Sequence, residues 1–384
     1  MANKTLVRIT TIPIALEKLL SGQLSYMNNH YKVVAVAAQK ENLEKLGESQ
    51  GIEVFHLEMT RKITPFKDLL AVIKLFLYFK KTKPFIVHTH TPKAGTVGML
   101  ASKLAGVPNR LHTVAGLPLL EAKGKKRKLL DFVEKLTYSC ATKVYPNSFG
   151  LSYIIVQNKY CSSKKLKVLA NGSTNGIDTT FFDPLLFNSD NKDNLKKELG
   201  INQNDLVFVF VGRLVADKGI NELIEAFEAL QQENKTVKLL LVGYFEDDLD
   251  PLLPATLESI KSNKGIIHSG FKQDVRPYFS IADVLVFPSY REGFPNVVMQ
   301  AGAMELACIV TDINGCNEII VEGKNGLIIP VKNKQAILES MKSCIENESK
   351  RVAMQKNARQ MIVSRYEQKV VWEAILSEYN SFNY

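Results

Sequence analysis

Arg213 and Lys218 are two cations five positions apart on one stretch of chain, and Glu292 opens a second stretch, Gly293-Phe294-Pro295-Asn296, that runs on to Gln300. The first stretch follows the apolar run 206–211, turns at Gly212 and precedes a helical pattern at 221–230. That order predicts a buried parallel strand, a loop and a helix. Arg213 and Lys218 therefore leave the carboxyl end of a strand, which is where open α/β sheets bind ligands. The second stretch is placed in the same way, with a strand at 284–287, a turn, and a helix from Asn296 for which Pro295 suits the first position. A helix start leaves backbone N–H groups aimed at whatever anion lies before it. Two cations able to converge on one diphosphate, beside such a start, read as a nucleotide-diphosphate site.

Those loops need a scaffold, and the rest of the chain supplies one. In the first half, strands are predicted at 6–10, 31–37, 52–56, 85–88, 110–114 and 143–147, with helices at 15–28, 41–50, 66–79, 95–105 and 128–140. In the second half, strands are predicted near 207 and at 238–242, 266–269, 284–287 and 309–311. This alternation predicts two doubly wound α/β domains, each a parallel sheet with helices on both faces. The turn-rich stretch 171–178 and the linker-like Phe181-Phe182-Asp183-Pro184 divide them. The expected domains are 1–178 and 179–366, followed by a closing helical segment at 367–384 that carries Trp372.

A chain of 384 residues, 46% apolar, is long enough for two cores. Its five cysteines are scattered and lack Cys-x-x-Cys spacing, which argues against a disulfide framework or a zinc site and for a reducing cytoplasm. The amino terminus reads as strand and loop rather than a secretory segment. The longest apolar stretch, 69–79, contains Lys74 and falls short of the ~20 residues that span a bilayer.

The net charge of +10 is uneven: residues 1–180 hold 27 Lys and Arg against 11 Asp and Glu, and the remainder 22 against 28. A basic half suits an anionic partner. The densest run, Lys123, Lys125, Lys126, Arg127 and Lys128, is flanked by Leu117, Leu119, Leu120, Leu129 and Leu130. Basic with apolar points to an anionic membrane surface; the alternative is a solvated loop and helix start. No aromatic side chain lies between 117 and 130 to stack on bases, which argues against nucleic acid.

The paired motifs resemble those of the retaining glycosyltransferases of family four, which have the GT-B fold: two Rossmann-like domains facing across a cleft, with a final helix crossing back to the first. The resemblance covers nearly the whole chain. It implies that Arg213 and Lys218 hold the donor diphosphate, that Glu292 touches the donor sugar, and that Gly212, Gly293, Phe294, Pro295 and Asn296 shape the donor site. The family's second glutamate, seven residues beyond the first, meets the ribose; here that position is Gln300, whose amide accepts from only one hydroxyl, a loss of about 1 kcal/mol. A strand-end histidine of the family faces the donor sugar, and His112 in Arg110-Leu111-His112-Thr113 matches it. His88 and His90 are expected to be structural or to orient loops, since the family often shows His-x-His after this strand; a metal reading of the histidines finds no third ligand at zinc spacing.

Asp248-Leu249-Asp250 spells the Asp-x-Asp of metal-dependent transferases. It is set aside here, because it falls in an acidic loop expected to lie away from the diphosphate motifs, and because Arg213 and Lys218 supply the charge that Mg²⁺ would bring. No metal or other cofactor is expected. The stretch 10–15 lacks the glycine pair of the family's first loop. Together with the His-Thr-Val-Ala-Gly and Gly-Ser-Thr-Asn-Gly segments, it is similar to bacterial enzymes that extend lipid-linked saccharides, among them N-acetylgalactosaminyltransferases acting on undecaprenyl-diphosphate-linked sugars. The resemblance thus implies transfer from a UDP-sugar, an N-acetylhexosamine, to an undecaprenyl-diphosphate-linked saccharide, in the cytoplasm at the inner face of the plasma membrane. Two alternatives stay open. A GT-B-like UDP-sugar epimerase would convert donor without acceptor, and a basic nucleic-acid-binding protein would lose affinity with salt and ignore Arg213.

Overall fold

The computed structural model describes residues 4–60, 62, 64–117, 119, 122–246 and 250–382. It divides into two compact units, Met1–Gly176 with Lys369–Tyr384, and Ile177–Gln368. Leu120, one of the flanking leucines, and Asp248 and Leu249 lie outside the described residues.

The first unit runs β1 (Thr5–Ile9), α1 (Pro13–Leu19), α2 (Gln23–Asn28), β2 (Lys32–Ala37), α3 (Lys40–Gln50), β3 (Glu53–His56), α4 (Pro65–Thr82), β4 (Ile86–Thr89), α5 (Pro92–Ala105), β5 (Asn109–Val114), α6 (Gly124–Cys140), β6 (Lys143–Pro146) and α7 (Phe149–Gln157). Its sheet has the order β3-β2-β1-β4-β5-β6, all parallel. Right-handed crossovers running first one way and then the other put helices on both faces. On one face Ala71, Leu75 and Phe79 of α4 pack with Val97 of α5 against Val7, Val34 and Val87. On the other, Leu16, Leu24 and Leu43 pack against Leu6, Val33 and Leu111.

Two boundaries depart from expectation. The single helix at 15–28 is two, because Pro13 starts α1 early and Gly22, at φ 72°, turns the chain before α2. Helix α6 begins at Gly124, so most of the basic run is helical rather than loop.

The second unit runs α8 (Ser189–Glu198), β7 (Leu206–Val211), α9 (Ile220–Glu233), β8 (Val237–Val242), α10 (Pro254–Ser262), β9 (Ile266–Gly270), α11 (Arg276–Ser280), β10 (Val284–Phe287), α12 (Asn296–Ala303), β11 (Ala307–Thr311), α13 (Cys316–Ile319), β12 (Gly326–Ile329), α14 (Lys334–Glu346) and α15 (Glu348–Tyr366). Its sheet is again parallel, in the order β12-β11-β10-β7-β8-β9. Edge strand β12 was not anticipated: four residues after a turn carry too little period to read. The segment at 181–184 is not a free linker, since Phe182 is buried in this unit's core and Phe181 lies under the Arg276 guanidinium at 3.5 Å.

Helix α16 (Gln368–Asn380) places Val371, Ile375 and Tyr379 in the core of the first unit. No helix among the described residues is long and apolar enough to cross a membrane.

Candidate active site

Strand β7, flanked by β8 and β10, is buried along its centre and ends at Val211, with Gly212 the next residue. Arg213 follows, then a single turn of 3-10 helix at Ala216–Lys218, then Gly219 at φ 71° as the residue before α9. A β-carbon at Gly219 would stand 2.2 Å from the Pro288 carbonyl oxygen, so only glycine lets this loop touch the turn after β10. That close approach brings Lys218 to Glu292: Nζ lies 2.5 Å from Oε1, with side chains only 15% and 17% exposed.

The second loop is tied down on several sides. The Ser289 hydroxyl donates to the same Glu292 oxygen at 3.0 Å, and Asn314 Nδ2 donates to the Glu292 carbonyl and, at 3.2 Å, to that of Gly293. Tyr290 N–H donates to the Asp217 carbonyl at 2.9 Å, and Arg291 Nη2 to the Asp217 carboxylate at 2.6 Å. The two loops thus form one surface. Ser289 and Asn314 were not among the expected residues.

Arg213 is more open, 40% exposed, and its Nη1 pairs with Glu246. Burial works against its charge, but the bond to Glu246 and that residue's charge outweigh it and hold the guanidinium pKa above its ordinary value. The expectation that the acidic loop lies away from the diphosphate motifs is therefore wrong. Leu214 pairs with Phe245, Asp217 N–H donates to the Asp250 carboxylate at 2.6 Å, and Ala216 N–H to the Asp250 carbonyl at 3.2 Å. The cause is strand order: β7 and β8 are neighbours, so the loops leaving their carboxyl ends run side by side. Asp217 shows the crowding, its carboxyl pushed up by burial and by the charge of Asp250 against the opposing pull of Lys218.

At the start of α12, Pro295 is the residue before the helix rather than its first, at φ −76° and ψ 110°. It has no N–H, and its carbonyl accepts from Val298 N–H at 3.2 Å, so it fixes the turn and donates nothing. Phe294 is buried edge-on against Tyr366, 5.4 Å between ring centroids, leaving only its backbone for a ligand. Asn296 is exposed and Gln300 half-buried on the same helix.

In the first unit, His112 lies two residues before the end of β5 with its ring buried, Nδ1 2.7 Å from the Thr89 hydroxyl. A β-carbon at Gly95 would meet the ring at 2.5 Å, so α5 packs directly on it. Burial lowers its pKa from the ordinary 6.5 to about 4, and the imidazole is neutral at pH 7. With His90, Thr91, Thr113, Gly116 and Glu134 it lines a pocket of about 230 Å³.

His88 and His90 belong to a buried network. Arg8 donates from Nε to His90 Nε2 at 3.0 Å, from Nη1 to the Tyr379 hydroxyl at 3.0 Å and from Nη2 to Gln23 at 2.5 Å. His88 lies between that hydroxyl and the hydroxyl of Thr113. Of the basic run, Lys123, Lys125, Lys126 and Lys128 are exposed. Arg127 is drawn inward instead, Nε to Asp131 at 2.8 Å and Nη2 to the Tyr160 hydroxyl at 3.0 Å.

Two α/β units, each with a parallel sheet, and paired cations with a carboxylate at adjoining strand ends of the second are what a sugar-nucleotide transferase of GT-B fold displays. The chain matches the family described as glycosyl transferases group 1 over residues 191–361 and the glycosyl transferase 4-like family over 14–148. It belongs to the group 1 glycosyltransferases. It is 32% identical to the capsular polysaccharide biosynthesis glycosyltransferase CapM of Staphylococcus aureus, over 100% of this chain and 98% of that one. It is also 28% identical to the N,N'-diacetylbacillosaminyl-diphospho-undecaprenol alpha-1,3-N-acetylgalactosaminyltransferase of Campylobacter jejuni, over 91% of each. Among solved structures, Anabaena HepE in complex with UDP superposes with a TM-score of 0.82 at 19% identity, covering 99% of this chain and 100% of that one, which shows the GT-B fold.

Proposed function

We propose that this glycosyltransferase moves an N-acetylhexosamine from a UDP-sugar to an undecaprenyl-diphosphate-linked saccharide, with retention of configuration and without a metal ion. The observation that carries this reading is the Lys218–Glu292 pair, an ammonium and a carboxylate joined at 2.5 Å where the loops after β7 and β10 meet. In the proposed reaction Lys218 and Arg213 stabilise the charge that grows on the departing diphosphate, the site where preorganised cations act most strongly. Glu292, steadied by Ser289 and Asn314, orients the sugar ring. Gly212, Gly293, Phe294 and Asn296 offer backbone to the donor, and the Gln300 amide accepts from one ribose hydroxyl. His112, neutral and with Nδ1 engaged by Thr89, has its other ring nitrogen for a sugar hydroxyl. The acceptor class is supported by the relative from Campylobacter, whose printed activity is on an undecaprenyl-diphosphate-linked sugar. Lys123, Lys125, Lys126 and Lys128 would hold the first unit near an anionic membrane, at the inner face of the plasma membrane.

The test is purified protein with UDP-N-acetylglucosamine or UDP-N-acetylgalactosamine and a polyprenyl-diphosphate-linked sugar, reading UDP release and the anomeric configuration of the product. An α-linked product formed equally well in chelator is expected. A β-linked product, or activity abolished by chelator and restored by Mg²⁺ or Mn²⁺, would falsify the retaining, metal-independent reading.

A further inference from the structure

Helix α4 is apolar on two sides. Ala71, Val72, Leu75 and Phe79 are buried beneath it. Phe66, Leu69, Leu70, Ile73 and Leu77 stand in solvent, from 46% exposed at Ile73 to 85% at Phe66. At about 3.6 residues per turn these five fall within a sector of roughly 100°, opposite the buried face. Single exposed leucines are ordinary, but a stripe of five along one helix marks a contact surface.

The charge beside the stripe identifies the occupant. Lys67, Lys74 and Lys81 recur every seventh residue along one flank, all exposed. Lys67 and Lys74 also line a pocket of about 230 Å³ with Leu57, Met59, Thr60 and Glu58, of which Glu58 is already engaged by His56 at 2.8 Å. Helix α6, in the same layer on the far side of α5, repeats the combination: Leu129 and Phe132 are 47% and 63% exposed beside the exposed lysines of the basic run. A second copy of the chain on this face would set lysine against lysine about a two-fold axis, which disfavours self-association. Apolar side chains flanked by lysines with long aliphatic stems suit an anionic bilayer surface.

We propose that α4 seats on a bilayer carrying anionic lipid, with the stripe from Phe66 to Leu77 entering the acyl boundary and Lys67, Lys74 and Lys81 meeting phosphate-bearing headgroups. The idea rests on the membrane-held acceptor of the proposed function, and it differs from attraction by the basic run in requiring insertion. The experiment floats the full chain with phosphatidylglycerol–phosphatidylethanolamine vesicles, without sugar nucleotide. The triple variant Leu70→Ser/Ile73→Ser/Leu77→Ser keeps every charge and changes only exposed positions. Its apparent partition onto vesicles is expected to fall at least about tenfold. A Phe66→Trp variant should show quenching by brominated acyl chains beyond that of the wild type's Trp372. Thermal melts and UDP titration check that the variants fold.

Wild-type protein that ignores these vesicles, a triple variant that binds them as well as wild type, or a Phe66→Trp side chain that is not quenched overturns the proposal. So does a wild type that dimerises without lipid and a triple variant that does not. Absence of UDP binding in the wild type would strike the proposed function while leaving the vesicle result to be judged separately.

Discussion

Replacing Lys218 by alanine separates the structural from the chemical meaning of its bond to Glu292. The bond is 2.5 Å long between groups 15% and 17% exposed, so it is screened less than a surface pair and more than a fully buried one. Removing the ammonium leaves a partly buried carboxylate with Ser289 alone, a destabilisation of about 1–2 kcal/mol. For a unit of this size that lowers the melting temperature by roughly 3–6 °C, which the fold survives. In the proposed reaction the same ammonium faces a leaving diphosphate, and a charge-assisted hydrogen bond there contributes about 2–3 kcal/mol in the transition state. At ~1.36 kcal/mol per decade, kcat/KM should fall about 30- to 150-fold. Steady-state UDP release and a thermal melt on the same preparation give both numbers. Adding Glu292→Gln should recover part of the lost stability, because no carboxylate is then left unpaired, but none of the lost rate. A Lys218→Ala enzyme that melts lower yet works within threefold of wild type would show that the pair only holds two loops together.

Gln300→Glu should retain activity or tighten UDP binding by up to about 1 kcal/mol, as a carboxylate accepts from two ribose hydroxyls where the amide accepts from one; titration calorimetry reads this, and loss of UDP binding refutes it. Gly219→Ala should lower the melting temperature and raise donor KM, since the new β-carbon would meet the Pro288 carbonyl at 2.2 Å from a backbone at φ 71°; unchanged values would mean that the loop is not held there. His112 titrates near 4 when folded and near 6.5 when unfolded, so between those values the unfolded chain binds the extra proton. Its contribution is complete above pH ~6.5 and falls by about 1.4 kcal/mol per pH unit below it, with His88 and His90 depressed in the same direction. Urea unfolding of equal midpoint at pH 7.5 and 5.5 would contradict this.

What the sequence disclosed follows from how local each feature is. Strands β7 and β10 could be read because their runs, Leu206–Val211 and Val284–Phe287, are apolar on both faces, as a central parallel strand must be. Arg213, Lys218 and Glu292 could be placed at a site because each sits within a few residues of such a strand's carboxyl end. Glu246 and Asp250 could not, because their position depends on β8 being the neighbour of β7, and strand order leaves no periodic signal. Asn314 is another case. It reaches the Glu292 carbonyl only because β11 pairs with β10. Arg8 shows the limit most plainly: it stands in a strand where alternation would put a polar side chain in water, yet it is fully buried, bonded to Tyr379 from the far end of the chain. The helical period likewise identified α4 without telling which of its two apolar faces the sheet would cover.

The acidic loop changes how the proposed donor site has to work. Both cations intended for the diphosphate are already occupied, Arg213 by Glu246 and Lys218 by Glu292, and Asp217 and Asp250 add two more carboxyl groups beside them. An arriving diphosphate therefore meets cations that already hold a carboxylate, and must either share their remaining N–H donors or displace the partner. The two pairs are not equally easy to open. Arg213 and Glu246 are 40% and 26% exposed, so water and salt can solvate the separated charges, whereas the less exposed Lys218 and Glu292 have less solvent to replace the lost partner. Glu292 is also fixed by Ser289 and, through its carbonyl, by Asn314, while Glu246 adjoins the loop that carries Asp250. Exchange at Arg213 with the Lys218–Glu292 pair kept in place is the arrangement with the smaller desolvation cost, and it leaves Glu292 where a carboxylate beside the leaving group can hold a sugar hydroxyl.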